Sequence, residues 1–563
     1  MAVSRTGVHE ISDKYVRDYV AVDPIEGTAI GEPGYDDQLP DFSPDGYAAR
    51  AEVNARALRA IREAEPADES ERSAQAVFLE RTGLAMEIHE AGLDVSSLNV
   101  IESPVQAIRE VFDLMPTQTQ EQWATIAARM AKIPDAIDGL RVSLTTSIED
   151  GTASALRQVS KVAEQCETWA GLRGSAPFFE RFVADADQVA GVSEGLRTDL
   201  RDAARQAGEA YGQLAGFLRA EMAPKVPTKD AVGPDIYRLM SRHFTGANLD
   251  LAEAYEWGWA EFYRVESEMK QVANRIKSGA GLAEVAGTLD ADPRYRVVGQ
   301  DGLREWMQRL SDDALVGLRD THFDIPDALM ALECKIAPPG GGVGAYYTGP
   351  TDDFSRPGQM WWSVPADRQE FSTWREVSVV YHEGVPGHHL QVATAVYQAA
   401  TLNRYQRLMC MTSGHCEGWA LYAERLMHEL GYLGDDGNLL GMLDAHLFRA
   451  ARVIVDIGMH LELEIPASVD FHPGERWTPE LGLEFMLTRT ISEEAHVRDE
   501  IDRYLGWPGQ APSYKLGERQ WLAARDEAKA RHGADFDIKR FHTQALALGS
   551  MGLDTLRERL AAL

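Results

Sequence analysis

The sequence predicts a mainly α-helical fold, and three observations support this prediction. Apolar residues recur at helical spacing among Arg and Glu over most of the first 335 residues, as in 48–61. Proline residues such as Pro104, Pro134 and Pro177 interrupt the pattern at intervals typical of successive helices. No fixed-period repeat is present in the sequence, so a solenoid of identical units is not expected.

The first 46 residues differ from the rest of the chain. Pro and Gly are dense in Gly31-Glu32-Pro33-Gly34 and Ser43-Pro44-Asp45-Gly46, so residues 1–46 are predicted to be an extended segment. The helical pattern begins at residue 47, and residues 47–229 are predicted to form a helical N-terminal lobe. The Lys225–Lys229 stretch marks the predicted boundary. Residues 230–563 are predicted to form a second helical lobe.

A small β element is predicted inside the second lobe. Ala345–Thr348 and Gln359–Val364 are short β-rich runs separated by Pro and Gly, which indicates a hairpin. Glu370–Val380 is expected to lead as a helix out of this region. Long amphipathic helices are predicted earlier in the chain, at Gly191–Met222 and Leu249–Lys277.

Histidine and glutamate are concentrated directly after this point, in His382-Glu383-Gly384-Val385-Pro386-Gly387-His388-His389. A His-Glu pair followed by another His supplies two imidazole ligands and a general base in zinc hydrolases. The usual histidine spacing is four residues, but Pro386 occupies that position. On an unbroken helix His388 would lie about 240° around the axis, and His389 would return to the same face about 10.5 Å further along.

The residues Pro386 and Gly387 disfavour an unbroken helix. A bulge of two extra residues would let Gly387-His388 replace the last two residues of the usual motif. We therefore predict His382 and His388 as metal ligands and Glu383 as the general base, with His389 as the rival ligand.

The pattern His-Glu-x-x-Pro-Gly-His-His-x-Gln, followed by Glu-Gly-Trp-Ala-x-Tyr-x-Glu from residue 417, resembles a large bacterial family of zincin-like proteins of unknown function. It is more remotely similar to thimet oligopeptidase, carboxypeptidase Taq and angiotensin-converting enzyme. Dipeptidyl peptidase III also carries an insertion before its Gly-His. The resemblance implies a helical, gluzincin-like fold with a central cleft and a Zn²⁺ cofactor.

A zinc site of this class needs a third protein ligand and an open position for water. Glu417 is the predicted third ligand, because it follows Glu383 by 34 residues, enough for one return helix. The family comparison supports the same residue. His415 and Glu424 are the alternatives, and either could instead orient a ligand imidazole.

Two later stretches supply further candidates. Arg452, Asp456 and His460 recur every four residues along one helical stripe. In the resembling proteins this helix lines the site, so His460 is a candidate contact to substrate or transition state. Tyr514 and Lys515 follow Pro512 near a predicted helix start, where a hydroxyl and an ammonium could stabilise an oxyanion.

These features predict zinc-dependent hydrolysis of peptide or other amide bonds in small substrates, such as short peptides. The alternative is a non-catalytic zincin-like protein that binds peptides or partners. The formal net charge of −32 argues against nucleic acid and anionic membrane as partners. Four cysteines without a Cys-x-x-Cys pair, and no signal-peptide core or apolar run of membrane-span length, lead us to expect a cytoplasmic protein.

Overall fold

The computed structural model describes residues 7–337, 344–365 and 368–563, and over these residues the protein is mainly α-helical, as predicted. The chain divides into two units. The first comprises the described residues up to Ala231 together with Asp502–Trp507, and the second comprises Val232–Ile501 and Pro508–Leu563. Among the helices described, none combines the length and the apolar character that a bilayer span requires.

Much of the first unit packs around a core of buried apolar side chains, which includes Trp123, Ile137 and Leu214. Local caps set several helix starts; Thr119 and Gln122, for example, cap one helix reciprocally. The α-helices are α1 (Val8–Val20), α2 (Pro24–Ala29), α3 (Pro44–Glu63), α4 (Glu69–Glu90), α5 (Pro104–Glu110), α6 (Gln120–Met130), α7 (Ile133–Asp150), α8 (Leu156–Trp169), α9 (Phe178–Ala184) and α10 (Glu194–Phe217).

The predicted extended segment at residues 1–46 is wrong where α1, α2 and the start of α3 form. Val8, Val16 and Val20 place one face of α1 in the interior. At α2 the side chain of Asp23 accepts a hydrogen bond from the Glu26 amide, and Pro24 occupies the first helical turn, where its missing N–H costs nothing. Proline thus starts helices here. Residues 1–6 lie outside the described residues.

The second unit surrounds one long helix, α18, which is buried on almost every face and packs against α12, α15 and α21. The α-helices of this unit are α11 (Gly233–Thr245), α12 (Leu251–Ile276), α13 (Leu282–Asp290), α14 (Gln300–Leu318), α15 (Glu376–Glu383), α16 (His388–Tyr397), α17 (Ser413–Glu429), α18 (Asp436–Leu461), α19 (Pro479–Arg489), α20 (Glu494–Gly506, whose last residues are counted with the first unit), α21 (Ser513–His532), α22 (Ile538–Ala547) and α23 (Leu553–Leu560).

Two small sheets also lie in the second unit. The strands are β1 (Arg296–Val298), β2 (Leu332–Ile336), β3 (Gly344–Thr348), β4 (Gly358–Ser363) and β5 (Glu370–Ser372). One sheet pairs β1 with β5 antiparallel, and the other has the order β2-β4-β3, with β3 antiparallel and β2 parallel to β4. The predicted hairpin is confirmed. The predicted helix from Glu370 is wrong at its start, because Glu370–Ser372 pairs with β1 and the helix begins only at Glu376.

Candidate metal site

The turn between α15 and α16 contains the two-residue bulge that the sequence predicts. Helix α15 ends at Glu383, and α16 begins at His388. The Gly387 amide donates to the Tyr381 carbonyl at 3.0 Å, which is six residues back instead of the four of a regular helix. A Cβ atom on Gly387 would stand 1.9 Å from the His382 carbonyl oxygen, so this approach requires glycine.

The bulge brings His382 and His388 together. Their rings are 4.9 Å apart between centroids and nearly perpendicular. One ligand atom from each of His382, Glu383 and His388 lies within 4.8 Å of the others. Glu417 is closer still, because its Oε2 lies 3.1 Å from the His382 Nε2 and 3.6 Å from the His388 Nε2.

These separations fit the ligands of one zinc ion. Two ligand atoms each about 2.1 Å from a tetrahedral ion are about 3.4 Å apart, which lies between the two observed values. Two carboxylates are candidates for the third ligand position, and Glu417 is the one with an oxygen 3.1 and 3.6 Å from the two imidazole nitrogens. The side chains of His388 and Glu417 keep 13% and 20% of their surface exposed, so the cluster remains accessible.

Helix α17 positions Glu417 through close contacts on two sides. The Trp419 indole donates to the carbonyl oxygens of Pro386 and Gly387, at 2.9 and 3.2 Å, and so fixes the bulge against α17. On another side, a Cβ atom on Gly418 would stand 2.4 Å from the Gly517 carbonyl carbon, so α17 and α21 touch through their backbones.

A buried polar network lies behind His382. The His382 Nδ1 donates to Glu424 at 2.8 Å, which leaves Nε2 to face the cluster, and Ser378 also donates to Glu424. His446 stands 3.5 Å from Glu424 on one side and 3.5 Å from Glu518 on the other. The sequence motif includes Glu424, but His446 and Glu518 lie in helices where no local motif marks them.

Hydrogen bonds within the cluster favour a protonated His382 and an ionised Glu417. Burial alone would lower the pKa of His382, but hydrogen bonds with Glu417 and Glu424 raise it to about 10. Burial would raise the pKa of Glu417, whereas hydrogen bonds with His382 and His388 hold it well below its usual range. Burial raises the pKa of Glu383, and the two histidines only partly oppose this.

His389 does not act as the rival ligand. Its Nε2 lies 2.8 Å from the Leu329 carbonyl oxygen and its Nδ1 lies 3.0 Å from the Tyr347 hydroxyl, so both ring nitrogens already have partners. The ring is also fully buried, and this burial lowers the pKa of His389 to about 4. His415, an alternative third ligand, lies against Trp521 and receives a hydrogen bond from Gln391.

Of the predicted substrate contacts, Tyr514 lies beside the cluster. Its ring is nearly parallel to that of His382, with 6.5 Å between centroids. Two guanidinium groups of α18 flank the same ring, Arg452 at 4.9 Å and Arg449 at 5.6 Å from its centroid. No motif in the sequence marks Arg449, which lies outside the Arg452–His460 stripe.

Lys515 and His460 lie elsewhere. The Lys515 ammonium is fully buried and is paired with Glu518 and, at 2.8 Å, with Glu261. The predicted oxyanion role does not fit this position, because two carboxylates already hold the ammonium. His460 is buried against the Tyr237 ring, about 12 Å along α18 from Arg452.

A surface cavity of about 720 Å³ lies apart from this cluster, lined by residues that include Glu266, Phe471, His472 and Arg489. It contains none of the predicted ligands. The chemistry of the histidine cluster, and not cavity volume, therefore identifies the candidate site.

Comparison with protein families gives a match that extends over almost the whole chain. The family is described as "Bacterial protein of unknown function (DUF885)", and it matches residues 24–560. The chain belongs to the DUF885 family. A search of curated proteins found no match to this DUF885 protein.

Two solved structures share the fold of this DUF885 chain. One is the crystal structure of a "putative lipoprotein" from Colwellia psychrerythraea, with a TM-score of 0.84 and 21% identity, covering 99% of this chain and 98% of that one. The other is a "putative lipoprotein of unknown function" from Shewanella oneidensis, with a TM-score of 0.73 and 17% identity, covering 98% and 99%. At these identities the likeness concerns the fold alone.

Proposed function

We propose that this protein is a zinc-dependent hydrolase that cleaves peptide or other amide bonds in small substrates. The observation that carries the proposal is the convergence of His382, His388 and Glu417 at ligand spacing, with Glu383 beside them. The likeness of the motif to helical zincin-type metallopeptidases supports the same assignment.

The three ligands would hold the ion, and a bound Zn²⁺ supplies a Lewis acid that lowers the pKa of water and polarises a carbonyl group. Glu383, beside the two histidines, would accept a proton from the attacking water and pass it to the leaving nitrogen. Tyr514, whose ring lies beside His382, is the candidate donor to the developing oxyanion.

The network behind His382 supports a site built to hold an ion. Glu424 fixes the tautomer and the direction of the His382 ring, as carboxylates do in carboxylate–histidine–zinc arrangements. Ser378 also donates to Glu424, and His446, 3.5 Å from Glu424, connects it to the buried Glu518–Lys515 pair. A buried carboxylate with this many partners holds one orientation, which keeps the imidazole aimed at the cluster.

The proposal is tested by metal content and by replacing the base. Purified protein should contain about one zinc per chain, and His382→Ala and Glu417→Ala variants should lose it. Glu383→Gln should keep zinc while kcat on short peptides falls at least about 100-fold, because the proton acceptor is gone. The measurements are elemental analysis and a peptide-cleavage assay by mass spectrometry.

The matched control is Glu376→Gln, the same chemical change on the same helix about 10.5 Å earlier. This variant should retain wild-type cleavage. Full activity in Glu383→Gln would remove the base assignment, and a zinc-free wild-type protein with no cleavage would favour the non-catalytic alternative.

A further inference from the structure

Arg449 lies at the candidate site but has no anionic partner among the described residues. It lies on α18, half-buried, with its guanidinium carbon 5.6 Å from the Tyr514 ring centroid. Among the described residues, no carboxylate oxygen lies within the 4.0 Å ion-pair limit of its nitrogens. Its buried Nε has no hydrogen-bond partner, and its Nη1 makes one long bond of 3.3 Å to the Ala445 carbonyl of its own helix.

The other cations near the site are paired. Arg452, one turn further along α18 and over the same tyrosine ring, binds Glu500 at 2.7 Å. The Lys515 ammonium is paired with Glu518 and Glu261. Arg449 is thus distinguished from its neighbours by unused donors, since a guanidinium carries five N–H groups in a planar fork.

Arg449 also lies within reach of the proposed reaction centre. Its guanidinium carbon lies 5.6 Å from the Tyr514 ring centroid, which lies 6.5 Å from that of His382, so the group is within about 12 Å of His382. An extended peptide advances about 3.3–3.6 Å per residue, so this distance corresponds to at most about three residues.

The carboxylates nearest Arg449 feel its charge but do not pair with it. Burial is the first influence on the pKa values of Glu383, Glu424 and Asp444, and the charge of Arg449 lowers all three. None of these carboxylates, however, is within ion-pair distance of it. Leaving a half-buried guanidinium unpaired is unfavourable, and an incoming carboxylate would relieve this with a bidentate pair.

We propose that Arg449 binds a carboxylate of the substrate. This inference rests on the proposed hydrolase function and narrows its substrate class to short peptides or amides with a free carboxylate within about three residues of the cleaved bond. A terminal carboxylate of a short peptide meets this description.

The experiment compares N-acetyl-tetra-alanine as the free acid and as the C-terminal amide. Wild-type protein should cleave the acid with a kcat/KM about 10- to 100-fold higher than that for the amide, mainly through a lower KM. One charge-assisted hydrogen-bonded pair predicts a difference of this size. In Arg449→Met, kcat/KM for the acid should fall to the value for the amide, and kcat/KM for the amide should stay within about threefold of wild type. Arg449→Lys, which keeps the charge, should restore part of the preference.

The matched control is Arg452→Met, which removes a guanidinium from the same tyrosine ring. Because the buried ion pair with Glu500 is lost, this variant should melt at a lower temperature, but its acid-to-amide ratio should remain that of wild type. A ratio that falls to one in Arg452→Met, and not in Arg449→Met, would overturn the assignment. Equal reductions of kcat/KM for the acid and the amide in Arg449→Met would overturn the assignment as well.

Binding without turnover separates this inference from the proposed function. In the Glu383→Gln protein, calorimetry should show tighter binding of the acid than of the amide, and Arg449→Met in that background should abolish the difference. Equal cleavage of acid and amide by wild type would refute carboxylate recognition and leave the hydrolase. Cleavage of neither peptide, with the acid still bound more tightly through Arg449, would refute the hydrolase instead.

Discussion

His388 and His389 are adjacent in the sequence, yet their side chains meet different surroundings. Neighbouring residues of a helix point about 100° apart. At the first turn of α16 this difference turns His388 toward His382 and Glu417, and turns His389 toward Leu329 and Tyr347. One imidazole is therefore available as a ligand, and the other is a hydrogen-bonded part of the core.

A pair of substitutions tests this difference. His388→Gln should leave the purified protein without stoichiometric zinc. His389→Gln should keep zinc but should lower the free energy of unfolding by about 1–3 kcal/mol, since buried hydrogen bonds are disturbed. Elemental analysis and chemical denaturation of both variants are the measurements. Zinc lost from the His389 variant while the His388 variant stays loaded would reverse the ligand assignment.

The sequence predicts which histidines and glutamates converge in the cluster but not the residues that support them, for a physical reason. His382, Glu383 and His388 share one short stretch, so helix geometry alone relates them. Arg449 and His446 reach the same place from α18, and their approach depends on how α18 packs against α15 and α21. No spacing within α18 distinguishes these two residues from an ordinary polar pair.

Helix packing at α17 and α21 depends on glycine. A Cβ atom on Gly517 would stand 2.0 Å from the Gly414 carbonyl oxygen, and one on Gly418 would stand 2.4 Å from Gly517. The contacting atoms belong to the backbone, so no side chain can move aside. The position of Glu417, one residue before Gly418, therefore depends on this close approach.

Gly418→Ala should destabilise the protein by at least about 2–3 kcal/mol and reduce its zinc content, because the helices must separate and carry Glu417 with them. The control is Gly287→Ala in α13, where nothing lies within 4 Å of the added methyl group. That change should stabilise by about 0.5–1 kcal/mol. Denaturant melts with zinc analysis measure both effects, and equal effects at the two positions would contradict the packing argument.

At the level of elements, periodicity predicts the long helices but not the pairings between distant segments. α10 and α12 lie inside their predicted ranges, because each shows an amphipathic pattern over many turns. Glu370–Ser372 forms a strand only because β1, more than 70 residues earlier, pairs with it. The N-terminal helices were missed since Pro24 and Pro44 start helices where the sequence analysis treats proline as a breaker.

Over the whole molecule, acidic residues exceed basic ones by 88 to 56, which gives the formal net charge of −32. Many acidic side chains have basic partners on the same helix, as in Glu69 with Arg72 and Glu494 with Arg498. Exposed pairs of this kind contribute only about 0–1 kcal/mol each. The excess negative charge therefore remains as mutual repulsion, which opposes the compact state.

Screening this repulsion should stabilise the protein. Raising NaCl from 0.01 to 1 M shortens the screening length from about 30 to about 3 Å, so at pH 8 the melting temperature should rise by a few degrees. The same titration near pH 5, close to the sequence pI of about 4.9, should produce a much smaller rise, because little net charge is left to screen. Differential scanning calorimetry at both pH values is the measurement. If the melting temperature rises equally at both pH values, the salt effect comes from hydrophobic burial, and self-repulsion does not significantly destabilise this fold.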